Sequence, residues 1–167
     1  AYRHQGKNDD SSWARGQAWA VYGYTACYRE TNDSTFLNFA IKVADMIMDR
    51  GKTDDAIPYW DYDAPVTEET PRDASAASVT ASALIELSTM VPDGQKYLDY
   101  AEKILKSLSS DAYLAKVGDN QGFILMHSVG SLPNGSEIDT PLNYADYYYL
   151  EALKRFMDLK GINYKDI

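Results

Sequence analysis

Six residues near the start of the chain have side chains suited to an acidic sugar: His4, Gln5, Trp13, Arg15, Gln17 and Trp19. Tryptophan offers an apolar face to a sugar ring, and an arginine fork matches a carboxylate or a sulfate. Four of the six lie in Asp10-Ser11-Ser12-Trp13-Ala14-Arg15-Gly16-Gln17-Ala18-Trp19. Asp and Ser ahead of a helical run accept hydrogen bonds from first-turn N–H groups, so this stretch predicts a helix start. On that helix Trp13 and Gln17 are one turn apart, as are Arg15 and Trp19. A helix N-terminus also attracts anions. The same spacing fits a plainer arrangement, with both tryptophans in a core and Arg15 paired with a carboxylate.

Two further constellations carry polar chemistry. Arg72-Asp73-Ala74-Ser75 opens another helix, where Arg72 and Asp73 either face a ligand or form a salt bridge and a cap. His127-Ser128, with Tyr144 and Asp146, places a histidine in a glycine-rich loop. Glycoside chemistry by paired carboxylates needs a fixed separation across the sugar. Asp10, Asp61, Asp63, Asp73, Asp139 and Asp146 are candidates, and their spacing selects no pair. No Ser-His-Asp order, phosphate loop or metal-ligand spacing occurs.

Composition narrows the classes. A chain of 167 residues is one domain by size and can bury a real core. The net charge of −9 argues against nucleic acid, which requires a basic face. Cys27 is the single cysteine and falls in an apolar run, which predicts a buried thiol. With only two histidines, a multi-histidine zinc site is excluded. No run is long and apolar enough to span a membrane. The chain opens Ala1-Tyr2-Arg3-His4 without an initiator methionine and reads as a processed or excised piece.

The elements that must position these residues are helices. Ser12 to about Thr31 is apolar on nearly every face, which predicts a helix buried on all sides. Gly16 and Gly23 within it suggest close packing of another helix or a ligand. Asn32-Asp33-Ser34 starts an amphipathic helix to about Arg50. Residues 52–72 contain Pro58, Pro65 and Pro71 and read as a loop whose rings, around Ile57–Asp63, cap the core. Asp73 opens a third helix rich in small residues, and a fourth, amphipathic one follows the Pro92-Asp93-Gly94 turn. Residues 110–138 suggest a short strand or hairpin around Phe123–Met126. Thr140-Pro141 predicts a cap and first-position proline for a last helix to about Lys160.

Asp10, Asp73 and Asp139 each precede a buried-type helix, 63 and then 66 residues apart. Tandem pairs of one inner and one outer helix are the pattern of a helical toroid or solenoid. The expected fold is therefore all-α: three pairs, the last incomplete, forming about half of a six-pair ring. All three inner N-termini should point the same way, and an isolated half ring should leave an apolar edge uncovered.

At Asp10–Trp19, at Pro71-Arg72-Asp73-Ala74-Ser75-Ala76-Ala77-Ser78 and at Asn143–Leu153 the chain resembles glycoside hydrolase family 88, the unsaturated glucuronyl hydrolases. Tyr59-Trp60-Asp61 fits as well. The resemblance runs the whole length and implies an (α/α)6 barrel, of which residues 1–167 would be the C-terminal part. It also implies an enzyme that removes a terminal 4,5-unsaturated uronic acid from lyase-generated oligosaccharides. An aspartate there protonates the vinyl ether double bond and activates water, without a metal or organic cofactor. The implied partners are an unsaturated uronic-acid oligosaccharide and the N-terminal half of the barrel, where the family's key aspartates lie. What carries over is the substrate-binding wall of His4, Gln5, Trp13, Arg15 and Trp19; Gln17 matches the motif. The competing readings are a non-catalytic carbohydrate-binding piece and a helical scaffold.

Overall fold

The computed structural model describes residues 5–51 and 53–166. Five helices carry the fold: α1 (Ala14–Thr31), α2 (Ser34–Arg50), α3 (Ala74–Ser88), α4 (Gln95–Leu108) and α5 (Asn143–Lys160). A two-stranded hairpin, β1 (Ser128–Ser131) and β2 (Ser136–Thr140), precedes α5.

Helix α3 is the centre. Its Ala, Ser and Thr side chains are short, so α1 and α5 pack against it on the inner layer and α4 behind it. Nearly every residue from Ala74 to Leu87 is buried. The outer helices follow the 3.6-residue period: Ala40, Ala44 and Ile47 of α2 are buried, as are Tyr97, Leu98, Ala101, Ile104, Leu105 and Leu108 of α4. Side-chain contacts fix the direction of the inner helices. Arg15, Asp73 and Tyr144, all in or beside a first turn, meet at one end. Arg29, Glu86 and Arg155 meet near the other. The three inner helices are therefore parallel, with their N-termini together.

Several local expectations are revised. Helix α1 has no side-chain cap; Trp13 stands at the cap position, and the Ala14 N–H donates to the Trp60 carbonyl at 3.0 Å. The polar residues ahead of it serve the 60–63 segment instead: Ser11 Oγ donates to Asp61, and the Ser12 N–H to Asp63. Asp73 does cap α3, accepting from the Ser75 and Ala76 N–H groups. Helix α5 starts after Leu142 without a side-chain cap, because Thr140 belongs to β2. Of the three aspartates in the repeat, only Asp73 is a cap.

Helix α1 buries one stripe, Ala14, Arg15, Ala18, Val21 and Thr25, rather than its whole circumference. Cys27 lies off that stripe and is exposed, not a buried thiol. Gly16 is covered by its own neighbour: a Cβ there would stand 2.7 Å from the Trp13 ring, whereas Gly23 faces open space. The hairpin lies later than the Phe123–Met126 run, which makes a single bridge, Leu114 to Leu125. Strands β1 and β2 pair antiparallel with Ser128 opposite Thr140 and Ser131 opposite Ser136.

Candidate functional site at the inner helix N-termini

Arg15 sits where the three inner helices and the hairpin converge. Its residue is 5% exposed. One guanidinium nitrogen donates to Asp73 Oδ2 at 3.4 Å, to Ser75 Oγ at 3.3 Å and to the Val129 carbonyl. The other donates to the Gly130 carbonyl at 2.6 Å. The guanidinium carbon lies 4.8 Å from the centre of the Trp13 ring and 5.3 Å from that of Tyr144. A buried cation held by a carboxylate, two carbonyls and two rings is fixed in place, since both terminal guanidinium nitrogens have partners.

Asp73 is the matching anion. Fully buried, it accepts from the Ser75 N–H at 3.0 Å, Ser75 Oγ at 2.5 Å, the Ala76 N–H at 3.3 Å and the Val129 N–H at 3.4 Å. Burial pushes its carboxyl up, against the opposing pull of the Arg15 charge and these hydrogen bonds. Arg15 is thus paired with a carboxylate, as in the plainer arrangement. The tryptophans, however, are half-buried rather than core, and their rings line the surface beside the cation.

Trp19 continues the aromatic surface. Its ring meets Tyr148 edge-on at 5.1 Å and Tyr144 at 6.2 Å, and Tyr148 in turn meets Tyr22 at 5.1 Å. Tyr148 was not singled out from sequence. The signal was there: Tyr144 and Tyr148, one turn apart, form a stripe facing Trp19 and Tyr22 of α1. Gln5 is half-buried, with Oε1 buried and without a hydrogen-bond partner. Gln17 is half-buried in the first turns of α1, its N–H on the Trp13 carbonyl. His4 lies outside the described residues.

The other constellations separate. Arg72 does not pair with Asp73; it donates to Asp55 Oδ1 at 3.0 Å and to the Ile57 carbonyl, and covers the Tyr59 ring at 4.4 Å. His127 Nδ1 faces Asp139 Oδ1 at 2.6 Å, while its carbonyl accepts from the Ala74 N–H. Asp146 turns away from both, accepting from the Ile124 and Leu125 N–H groups at 2.9 Å each. Asp61 accepts from Lys7 N–H, Ser11 Oγ and Asp63 N–H. Asp63 pairs with Arg50 at 2.6 Å. Of the six candidate carboxylates, only that of Asp10 is not drawn into one of these contacts.

No protein-family model matches the chain. The unsaturated glucuronyl hydrolase of Formosa agariphila is 48% identical over 157 residues, which is 93% of this chain and 39% of that protein. The protein of the same name from Bacillus sp. (strain GL1) is 33% identical over 156 residues, 91% of this chain and 41% of that protein. Among solved structures, one described as an unsaturated glucuronyl hydrolase specific for heparin has a TM-score of 0.93 at 60% identity, covering 95% of this chain and 43% of that chain. An Asp-to-Asn variant of the Streptococcus agalactiae enzyme complexed with dGlcA-GalNAc6S has a TM-score of 0.85 at 32% identity, covering 93% and 42%. The chain thus spans about two fifths of the length of the curated relatives it matches.

The paired inner and outer helices, with their convergent N-termini, are about half of an (α/α)6 barrel of the glycosidase type. Over nearly its whole length the chain is a homologue of the unsaturated glucuronyl hydrolases, of which it spans about two fifths.

Proposed function

We propose that this chain supplies the substrate-binding wall of an enzyme that releases a terminal 4,5-unsaturated uronic acid from lyase-generated oligosaccharides. The observation that carries this reading is Arg15, a buried cation fixed between the Trp13 and Tyr144 rings at the joined N-termini. Trp13 and Trp19 offer ring faces to the sugar, and Gln5 joins them on the strength of the family motif. His4, Arg15 and Gln17 complete the wall on the strength of the family motif. Arg15, anchored by Asp73 and the Val129 and Gly130 carbonyls, holds the Trp13 and Tyr144 rings in place at the wall.

The reaction hydrates the vinyl ether double bond: a proton adds to one carbon, water to the other, and the resulting hemiketal opens. The general acid and base comes from a part of the barrel that this chain does not contain. Two observations support that. Five of the six candidate carboxylates, those of Asp61, Asp63, Asp73, Asp139 and Asp146, are engaged with a partner. The chain also matches only about two fifths of its relatives. Residues 1–167 are then the C-terminal part of one barrel domain, and its N-terminal half covers the apolar edge where Tyr147 is 60% and Leu150 51% exposed on α5. No described helix is long and apolar enough to cross a membrane.

The same carboxylate accounting favours a second reading, a non-catalytic carbohydrate-binding piece. The test is to follow loss of double-bond absorbance with an unsaturated chondroitin or hyaluronan disaccharide, comparing the complete gene product with the chain alone, helix content being checked by circular dichroism. Turnover by the complete product and none by the folded chain is expected. Turnover by the chain alone at a matching rate contradicts the assignment of the proton donor, and binding without turnover by the complete product selects the second reading.

A further inference from the structure

We infer that Asp61 is a positioning residue for this site, the group that holds the Gln5–Trp13 side of the wall in place; the inference rests on the function proposed above. Asp61 is 1% exposed, and no lysine or arginine pairs with it among the described residues. A carboxylate so placed must be satisfied by hydrogen bonds, because an unsatisfied one would be far too costly to bury. Three donors satisfy it. Oδ2 accepts from the Lys7 N–H at 2.9 Å and from Ser11 Oγ at 2.7 Å. Oδ1 accepts from the Asp63 N–H at 2.8 Å, which turns its own chain and sets Asp63 to take the Ser12 N–H at 2.8 Å and Arg50 at 2.6 Å.

The division of labour is visible in the backbone. Residues 60–62 pair with 12–14: the Ala14 N–H donates to the Trp60 carbonyl and the Tyr62 N–H to the Ser12 carbonyl, each at 3.0 Å, around the Trp13–Asp61 bridge. That pairing fixes Trp13 but stops at Ser12. The loop before it, residues 5–11, crosses the 60–63 segment without such a ladder; there the Asp61 side chain takes the Lys7 N–H and Ser11 Oγ, beside Lys7 Nζ on the Asp63 carbonyl at 2.7 Å. Gly6 allows the approach, since a Cβ at that position would lie 3.3 Å from Asp61 Oδ2 and 3.0 Å from Ser11 Oγ. Gln5, with its unpaired Oε1, is the next residue out.

Asp61→Asn tests this in the complete gene product, read by steady-state kinetics on the unsaturated disaccharide and by amide hydrogen exchange. The new amide must face one of the three donors with its own N–H. Exchange at Asp63 or Lys7, whichever N–H the amide nitrogen faces, should accelerate, KM should rise about tenfold and kcat should stay within about threefold of the unsubstituted enzyme, because placement is lost and the chemistry is not. Ser11→Ala, which removes one donor and leaves the carboxylate, should raise KM about threefold. Unchanged KM in both variants overturns the inference, as does a fall in kcat at constant KM or a risen KM without faster exchange. Should the unsubstituted protein neither bind nor turn over the disaccharide, the proposed function falls instead. Faster exchange in the variant then still supports the cradle, and unchanged exchange overturns it.

Discussion

The two ends of the inner helix layer use the same residue types in opposite ways. At the N-terminal end one arginine and one aspartate, 6% and 0% exposed at their side chains, are enclosed with backbone carbonyls and aromatic rings. At the C-terminal end Arg29 and Arg155 share Glu86, at 2.6 Å and 2.7 Å, with side chains 46%, 22% and 14% exposed. Tyr22 and Ser82 meanwhile donate to Glu151, and burial, then the Glu151 charge, pushes the Tyr22 hydroxyl up to about 12. The C-terminal network is redundant and partly wet: each carboxylate has two or more partners, and solvent screens them. The N-terminal pair is single and dry, so neither partner can be lost without leaving a buried charge. Redundant, screened charge clasps helices together. A single desolvated ion pair beside half-buried rings holds one geometry, which is what a ligand-selecting wall requires.

This contrast can be broken by substitution. Asp73→Ala should cost the most, about 4 kcal/mol in urea unfolding, since it removes a cap and strands the Arg15 cation. A loss under about 1 kcal/mol would remove the distinction between the ends. Arg15→Met should cost about 3 kcal/mol near neutral pH and less in acid. The sign follows from Asp73: its folded carboxyl is raised by burial, so its charged form opposes folding, and stability is lost as pH rises through the folded pKa. An Arg15→Met deficit independent of pH would contradict that.

The C-terminal end should respond less. Glu86→Gln removes partners from both Arg29 and Arg155, yet should cost about 1 kcal/mol, shrinking further in high salt. A salt-independent loss several times larger would show a dry network there instead. The smallest expected effect is at Asp63, where Arg50 and then the Ser12 N–H hold the carboxyl below its usual value. That contribution is present above about pH 4 and lost as pH falls through the folded pKa, so exchange at Ser12 should rise only in acid.

Sequence carried the layers well and the site unevenly. The period of α2 and α4 and the small residues of α3 are local signals, so inner and outer roles were legible. Asp73 was legible as a cap because a cap reads only its next three residues. The start of α1 was not, because its first N–H is met by Trp60, far along the chain. The hairpin was misplaced for a related reason: His127, Glu137 and Asp139 take positive φ values although none is glycine, so tertiary contacts override the turn signals that sequence reading depends on. Cys27 was misjudged because a run apolar by composition buries only one stripe. The motif puts Trp13, Arg15 and Trp19 on one helix start, but gives no sign that Arg15 is held by the Val129 and Gly130 carbonyls from across the chain.

Binding at the N-terminal end is the central claim, and calorimetry on the complete gene product tests it most directly. An unsaturated chondroitin disaccharide would be titrated into the unsubstituted protein, Trp13→Ala and Glu86→Gln. The expected result is a loss of about tenfold or more in affinity for Trp13→Ala, where a ring face disappears, and an unchanged Kd for Glu86→Gln. Equal affinity for the unsubstituted protein and Trp13→Ala, with the loss appearing in Glu86→Gln, would place the ligand at the other end and contradict the account.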